Sequence, residues 1–497
     1  MLFKGSEEFE RIFYNFSLED NVHCDAPYTT LLIGSNGTGK SRLLKGVIDI
    51  FNDLHNHNSS VNIAKPAMNS GFEICYFIGN DKIMVNYDRF EYELYINGIQ
   101  THISNILLPD KGIVASYSLH EKFIPKEDSI FQKSRGNRYD NSFYEYLGIK
   151  SQRNFAFSSA NISKSLDLIT AAISEKGFDK DLLQVFKTLR FNPALTITYI
   201  VKKNRELFAG NLTSYEVRKV LEESDYKKSG FSYSTLSSLG VADDDFLEEV
   251  TQSLNQIANT FKEKFRFSID ISFDQSSSNN DLTRIYKDIS LLRKLNLLSY
   301  GKIDVYKENA SQLFGQSQDL HTMSSGEIHL ITSLLSLAAV VKNNSLILID
   351  EPEISLHPNW QIKYMDLINR IFKSSKGCHF IIASHSHFLA SNLLPNSSSI
   401  LLLKEAKNGK IKAEVLESAY GWSAENVLYN VFGVATTRNH YFEVDLNKLL
   451  KLISERSNRL EDIILLTNKF KQFKLNDDDP LSLLIRDAES YVATKKG

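Results

Sequence analysis

Cysteine is scarce in this chain. The three present, Cys24, Cys75 and Cys378, stand far apart. That spacing excludes a disulfide framework and a cysteine-based metal cluster, and it fits a reducing cytoplasm. A secretory leader is also missing: Met-Leu-Phe-Lys-Gly-Ser-Glu-Glu has neither the basic start nor the apolar run of one. The longest apolar stretch, around Leu334 to Val341, is well short of the roughly 20 residues that span a bilayer, so any membrane role would need another subunit. Neither sign of charge dominates. Lys and Arg number 57 against 60 Asp and Glu, a net charge of −3, so the molecule as a whole is not an electrostatic nucleic-acid binder, although a local basic face is compatible with it. No heptad is sustained over several repeats, which excludes a long coiled-coil arm, and there is no internal repeat. At 497 residues, 42% hydrophobic and 24% charged, the chain has an ordinary globular composition. It is long enough for two or more domains, or for one core with a large insertion.

The most informative stretch is Ser345 to Trp360. Four apolar residues, Leu346 to Ile349, run directly into Asp350 and Glu351. A short unbroken apolar run reads as a strand buried on both faces, as in a parallel α/β sheet, and acids at its carboxyl end sit where such sheets place ligands. Asp350 can hold a Mg²⁺ ion and Glu351 can orient a water for attack on a phosphate. A solvated acidic turn is the alternative if this strand stands alone.

It does not stand alone. Tyr28 to Ile33 reads as a strand, Arg42 to Leu54 as a helix, and between them lies Gly34-Ser35-Asn36-Gly37-Thr38-Gly39-Lys40-Ser41. This matches the G-x-x-x-x-G-K-[ST] phosphate loop in its required context. The glycines let backbone N–H groups point inward at phosphates, and the helix start at Arg42 adds partial positive charge. Lys40 is expected to reach the β- and γ-phosphates and Ser41 to ligate Mg²⁺.

Phe72–Ile78, Lys82–Tyr87 and Phe90–Ile96 read as an antiparallel meander beside this site, with turns at Gly79-Asn80-Asp81 and Asn97-Gly98. Gly112–Ser118 reads as a further core strand. The rhythm then changes over 119–290. Helices are expected at Ser165–Ile173, Asp179–Leu189 and Asp244–Phe265, and strands at Thr196–Val201 and Phe267–Phe273. The basic run Lys133 to Arg138 reads as a solvated loop, with nucleic-acid contact as the alternative, and Gln275 to Asn280 as a polar loop. His-Thr-Met-Ser-Ser-Gly-Glu at 321–327 opens a helix running to about Val341. There Ser324 and Ser325 are good N-caps, Gly326 permits close backbone approach, and Glu327 favours the first turn. Beyond the acid-ended strand, Asn359–Phe372 reads as a helix. The strand Cys378–Ala383 follows, leading into Ser384-His385-Ser386-His387. His385 at the tip of a core strand can hydrogen-bond a γ-phosphate, whereas His387 reads as a surface or packing residue. Ser399–Leu403 and Ala413–Leu416 form a hairpin with its turn at Lys407-Asn408-Gly409. From Tyr420 on, helices are expected at Ser423–Phe432, Glu443–Glu455, Leu460–Phe473 and Pro480–Thr494, with Asp477 to Asp479 a solvated linker.

Taken in order, Gly34 to Ser41, Met323 to Glu327, Leu346 to Glu351 with Ser355-Leu356-His357-Pro358, and His385 resemble the phosphate loop, signature, Mg²⁺-and-base strand with D-loop, and switch histidine of the ATP-binding cassette (ABC) ATPases. The resemblance implies an α/β fold: an ABC-type P-loop ATPase core with an antiparallel β subdomain, a large mainly helical insertion, and a C-terminal helical segment. The corresponding divisions are 1–118, 119–290, 291–417 and 418–497. It implies ATP and Mg²⁺ as cofactors. Gly34, Ser35, Asn36, Gly37, Thr38, Gly39, Lys40, Ser41 and Arg42 would hold the nucleotide, Ser41 and Asp350 the metal, and Lys40, Glu351 and His385 would act in hydrolysis. It also implies a homodimer around two sandwiched ATPs, with further assembly open. Ser324, Ser325, Gly326 and Glu327 of one subunit would then face the γ-phosphate held by the other.

The signature reads Met-Ser-Ser-Gly-Glu rather than the transporter-type Leu-Ser-Gly-Gly-Gln, and the stretch between Ser41 and Ser324 is far longer than a transporter cassette has. Asp-Glu-Pro-Glu-Ile-Ser-Leu-His-Pro at 350–358 and Tyr420-Gly421-Trp422-Ser423-Ala424-Glu425 resemble the soluble group of overcoming-lysogenization-defect (OLD) nucleases, Septu PtuA and PARIS AriA. No strand ending in Glu-Gly followed by an Asp-x-Asp strand, the mark of a Toprim nuclease, occurs here. The resemblance therefore implies a cytoplasmic stand-alone ATPase that gates a nuclease supplied in trans in anti-phage defence. The nuclease would be of HNH type if the chain is Septu-like, the closer likeness, or of Toprim type if PARIS-like. The alternatives are a structural-maintenance-of-chromosomes (SMC) or DNA-repair-like ATPase acting on DNA or RNA, a transporter energising subunit, and a scaffold that binds ATP with negligible turnover.

Overall fold

The structure, a computed structural model, describes residues 2–4, 13–16, 26–58, 71–88, 91–118, 122–125, 141–148, 158–176, 180–202, 204–224, 244–260, 265–273, 280–309, 312–406, 410–416, 419, 422, 424–432, 440–455, 457–472 and 480–496. The basic run Lys133 to Arg138, the turn Lys407 to Gly409, the acidic Asp477 to Asp479, Cys24, and the loop Gln275 to Ser278 with Asn279 lie outside these residues, as do Tyr420, Gly421 and Ser423. The chain divides into two units, Met1–Ala424 and Glu425–Gly497.

In the first unit the strands are β1 (Leu2–Lys4), β2 (Phe13–Asn15), β3 (Tyr28–Gly34), β4 (Phe72–Ile78), β5 (Asp81–Asp88), β6 (Glu91–Ile96), β7 (Ile99–Thr101), β8 (Lys111–Ser116), β9 (Tyr144–Tyr146), β10 (Phe191–Val201), β11 (Arg266–Ser272), β12 (Leu298–Lys307), β13 (Ser317–Asp319), β14 (Ser345–Asp350), β15 (His379–Ser384), β16 (Ser398–Glu405) and β17 (Ile411–Leu416). A seven-stranded sheet runs β17-β16-β3-β15-β14-β8-β9. It is parallel except for the edge strand β17. Every residue of β3 and β14 is buried, as the unbroken apolar runs require of strands covered on both faces. The register pairs Asp350 with Ala383 and Ser384 with Ile33, so the carboxyl ends of β3, β15 and β14 lie side by side.

The helix α1 (Lys40–Asn58) leaves the end of β3 and is buried along most of its length. Its Leu43, Leu44, Val47 and Phe51 share one core with Leu32, Leu348 and Ile381 of the central sheet and with Ile74, Val85 and Leu94 of a second sheet. That sheet, β2-β1-β4-β5-β6-β7, contains the expected meander and extends it with three short strands. Two of the polar groups that α1 buries are matched by one amide: Nδ2 of Asn141 donates to Oδ1 of Asn52 at 2.7 Å and of Asn56 at 2.8 Å.

Between β9 and β14 lie α2 (Ser158–Lys176), α3 (Lys180–Leu189), α4 (Ser214–Ser224), α5 (Asp244–Ala258), α6 (Asn280–Lys294) and α7 (Ser325–Val340), together with a sheet ordered β11-β10-β12-β13. The helix expected over Asp244–Phe265 ends at Ala258. Thr260 turns its backbone N–H and its hydroxyl onto the carbonyl of Ile257 at 2.9 and 2.7 Å, the local bonding by which Thr competes with helix continuation. Hydroxyls tie α2 to α7, and α3 to Ser374 and Ser375. Oγ of Ser336 on α7 donates to Oγ of Ser165 on α2 at 2.8 Å. On α3, Asp181 receives the hydroxyls of Ser374 and Ser375. Two residues beyond Ser165 on α2, Asp167 is clamped by Arg293 of α6 through both carboxylate oxygens at 2.7 and 2.8 Å, and the Tyr300 hydroxyl adds a third bond at 2.9 Å.

Two helices follow β14 and β15, α8 (Pro358–Ile371) and the short α9 (His387–Ala390). His387 itself packs its ring on Phe388 at 4.0 Å. The helix α10 (Ala424–Asn430) straddles the boundary between the units. The second unit contains α11 (His440–Ser454), α12 (Leu460–Lys471) and α13 (Pro480–Lys496). Its own core is formed by Leu449, Leu452, Ile463, Leu466, Phe470, Leu481 and Ile485.

Candidate active site

The loop Gly34 to Ser41 crosses from β3 into α1 with Gly37 at φ 87° and Gly39 at φ 90°. Both are in the left-handed region, where a side chain is strained. A Cβ on Gly34 would stand 2.6 Å from Oγ1 of Thr38 and 2.7 Å from the carbonyl of Leu403, so the strand can approach β16 only without one. Thr38 closes the loop by donating its hydroxyl to the carbonyl of Ser35 at 2.8 Å. Ser35, Asn36 and Gly37 are exposed at the rim, and Arg42 is exposed on the first turn of α1.

Lys40 is buried and faces inward. Its Nζ donates to the carbonyl of Gly34 at 2.9 Å and to Nε2 of His385 at 2.7 Å. Burial lowers its pKa, opposed by Glu351, Asp350 and Glu353. With Lys40 as an ammonium, Nε2 of His385 must accept this bond, which assigns the imidazole as neutral with its proton on Nδ1. Burial and the Lys40 charge both lower the His385 pKa. Ser41 donates its hydroxyl to Oδ1 of Asp350 at 3.0 Å. Oδ2 of Asp350 is buried and has no hydrogen-bond partner among the described residues.

Ser41 and Asp350 together offer a hydroxyl and a carboxylate with one oxygen still open, and phosphates would lie beside them. Those hard oxygen donors fit Mg²⁺, which takes one or two carboxylates plus phosphate oxygens and waters rather than an all-protein cage. Among the described residues no group of three or more His, Cys, Asp or Glu forms such a cage. Burial raises the Asp350 carboxyl to about 6, against the hydrogen bond from Ser41 and the charge of Lys40. Below that pH the group is a neutral acid, and above it a ligand. Mg²⁺-dependent nucleotide binding is therefore expected to strengthen about tenfold between pH 5 and pH 7 from this one group. Calorimetric titration at both pH values checks it; an affinity flat across that window would remove Asp350 from the metal site.

Glu351 stands at φ 57°, an uncommon conformation for a residue with a side chain. Its backbone N–H is held by the carbonyl of Ala383 at 2.9 Å. Oε1 lies 3.2 Å from Nε2 of His385. Its pKa is raised well above the carboxylate range, first by burial and then by the charge of Glu353 and a hydrogen bond to it. Two carboxyls bond to each other only if one keeps a proton. Sequence reasoning assigned Glu353 no part, although it lies two residues beyond Glu351 in the Asp-Glu-Pro-Glu run. Oε1 of Glu353 accepts the backbone N–H of His385 at 2.6 Å. His329 of α7, also unremarked from sequence, is half-buried and neutral, its pKa lowered to about 4 by desolvation, with Nε2 3.4 Å from the carbonyl of Pro352.

The structure thus brings Lys40, Ser41, Asp350, Glu351 and His385 together at the ends of three adjacent strands. It does not bring Ser324, Ser325, Gly326 and Glu327 to them: among the described residues no hydrogen bond joins 324–327 to the phosphate loop. Ser324 caps α7 in a reciprocal box with Glu327, whose Oε2 receives the Ser324 hydroxyl at 2.7 Å and backbone N–H at 3.1 Å. Ser324 and Ser325 are exposed. Gly326 packs on the loop after β14, where a Cβ would stand 2.7 Å from the carbonyl of Ser355. Gly326→Ala is expected to cost about 1–3 kcal/mol by overpacking, read as a lowered denaturant midpoint; an unchanged midpoint would show slack between these loops.

A family model described as "AAA ATPase domain" matches residues 13–390. The chain is 24% identical over 233 residues to Septu protein PtuA of Bacillus mycoides (strain KBAB4), covering 44% of this chain and 31% of that one. It is 28% identical over 114 residues to Septu protein PtuA of Bacillus thuringiensis, covering 22% and 28%. It is 34% identical over 90 residues to the Retron Ec83 probable ATPase of Escherichia coli, covering 18% and 15%. Each match spans less than a third of the relative's own length. Among solved structures, the SMC head domain from Thermotoga maritima aligns at 13% identity over 84% of this chain and 97% of that one, with a TM-score of 0.32. An SMC head bound to the C-winged helix domain of ScpA aligns at 11% identity over 84% and 96%, with the same score.

Proposed function

Since the chain belongs to the AAA ATPase domain family, we propose that it hydrolyses ATP with Mg²⁺ and uses the cycle to gate a nuclease encoded separately, in cytoplasmic anti-phage defence. The observation that carries the hydrolytic reading is the convergence of Lys40, Ser41, Asp350, Glu351 and His385 at the ends of three adjacent strands. The partial likeness to Septu PtuA and a retron ATPase supports the defence reading.

Mg²⁺, when bound at Ser41 and Asp350, neutralises phosphate charge. The rest is supplied by the chain. Lys40 exchanges the carbonyl of Gly34 and Nε2 of His385 for phosphate oxygens. His385, released from Lys40, takes the Glu351 proton onto Nε2, which lies 3.2 Å from Oε1, and donates it as a hydrogen bond to a γ-phosphate oxygen. Glu351, once deprotonated, orients the attacking water and takes its proton. The exposed Ser324 and Ser325 are free to face a nucleotide on a second copy, which accounts for a homodimer as the working form; whether dimers assemble further depends on the partner. No helix among the described residues is long and apolar enough to cross a membrane.

The test is co-expression with the neighbouring gene, purification with ATP and Mg²⁺, and measurement of mass, composition and phosphate release. A stoichiometric HNH or Toprim nuclease with ATP turnover is the expected result. A permease in the complex would overturn the reading in favour of transport. ATP-dependent binding of DNA by the chain alone would overturn it in favour of a DNA-acting ATPase.

A further inference from the structure

The loop from Glu351 to Leu356 folds back on itself. The N–H of Ile354 reaches the carbonyl of Glu351 at 3.2 Å, and that of Leu356 reaches the carbonyl of Glu353 at 3.0 Å. Glu351 and Ser355 both stand at positive φ, 57° and 68°, so the turn is not one the chain adopts without support. Two bonds fix it to the end of β15, and they flank the histidine strand tip. One is main chain, from the Glu351 N–H to Ala383. The other is the carboxylate of Glu353 on the His385 N–H, a charge-assisted bond of the short kind. The hydroxyl of Ser386 is held by Gln361 at 2.8 Å, and Gln361 in turn donates to the carbonyl of Leu356 at 2.9 Å.

We propose that Glu353 is a positioning residue: by accepting the His385 N–H it locks the tip of the histidine strand to the turn that carries Glu351, and so sets where His385 and Glu351 stand relative to a γ-phosphate. The inference rests on the hydrolytic reading above for its kinetic consequence, but not for its structural one. A reach of one carboxylate fixes the separation of two groups that must act on the same phosphate, and misplacement by about 1 Å costs of the order of 100-fold in rate. Lys40 keeps its bond to the Gly34 carbonyl and Ser41 its bond to Asp350 when the His385 tip shifts, so ATP binding is expected to depend only weakly on this one.

Three variants separate position from charge. Gln at 353 keeps an oxygen in place without the charge, Asp keeps the charge but falls short, and Ala keeps neither. E353A and E353D are expected to lower kcat by about 10- to 100-fold with KM for ATP within about twofold. E353Q is expected to restore most of kcat. Amide exchange of peptides covering Ser384–His387 should be faster in E353A and E353D and close to the parent in E353Q. Rescue by Asp and not Gln would overturn the proposal in favour of a charge effect, and a loss confined to KM would overturn it in favour of binding. Unchanged exchange in all three variants overturns it whether or not the protein hydrolyses ATP. Altered exchange without any ATPase activity in the parent would leave the lock standing and overturn the hydrolytic reading alone. If E353A does not fold, the contrast between E353D and E353Q decides the matter.

Discussion

Lys40→Ala is expected to reduce ATP turnover below detection and to weaken ATP binding about 100-fold, which corresponds to about 2.8 kcal/mol. Lys40 is a buried cation at the floor of the cleft, bonded at 2.9 Å to Gly34 and at 2.7 Å to His385. Neither is a charge partner. The carboxylates around it offset only part of the burial penalty that lowers its pKa. A phosphate arriving there therefore meets an ammonium with no carboxylate of the described residues in hydrogen-bond contact. Hydrogen bonds to charged groups are the stronger class, and this one is made in the ground state and tightened as charge develops. Lys40→Arg is expected to fare little better, because the fork of a guanidinium does not fit the point between Gly34 and His385 that an ammonium fills. Phosphate release and calorimetric titration measure both. ATP affinity within threefold of the parent in Lys40→Ala would remove this lysine from the phosphate site.

Glu351→Gln is expected to lower kcat by about 10²–10⁴-fold, the range for loss of a positioned base, while ATP binding persists. The substitution is nearly isosteric and leaves the backbone bond to Ala383 in place, so the turn should survive. Gln cannot take the proton, and the variant should accumulate with ATP bound. On a sizing column with ATP and Mg²⁺ it should run as a dimer where the parent, turning over, does not persist as one. Normal turnover in this variant would show that Glu351 is not the base.

How far the site could be read from sequence depends on how local each part is. The phosphate loop was legible because its geometry is set within eight residues, by glycines at positive φ between a strand and a helix start. The acid-ended strand was legible because an apolar run with both faces buried leaves a plain signature. Glu353 was not, because its partner is the backbone of His385, and that contact exists only because β15 lies beside β14. Sequence does not state sheet order. The four-stranded sheet shows the same limit. The strands within 191–201 and 266–272 were expected in part, but β12 was not: it runs unbroken over Leu298–Lys307, and its register against β10 shifts between Ile197 and Tyr199, so its buried positions do not alternate. β13 is only three residues long, too short for any periodicity to show.

The contact of Gly326 with the carbonyl of Ser355 also has a mechanical meaning. There is no free travel between α7 and the turn after Asp350: a Cβ would not fit in the gap, and close-packed interiors transmit strain rather than absorb it. The turn therefore bears on the end of α7 like a tappet on a rod. The rod is pinned farther along, where Ser336 meets Ser165, and α2 is in turn bolted to the four-stranded sheet by the Asp167–Arg293–Tyr300 clamp. A displacement of the turn toward α7 by more than a few tenths of an ångström is expected to carry α7 with it and to press on α2 through Ser336.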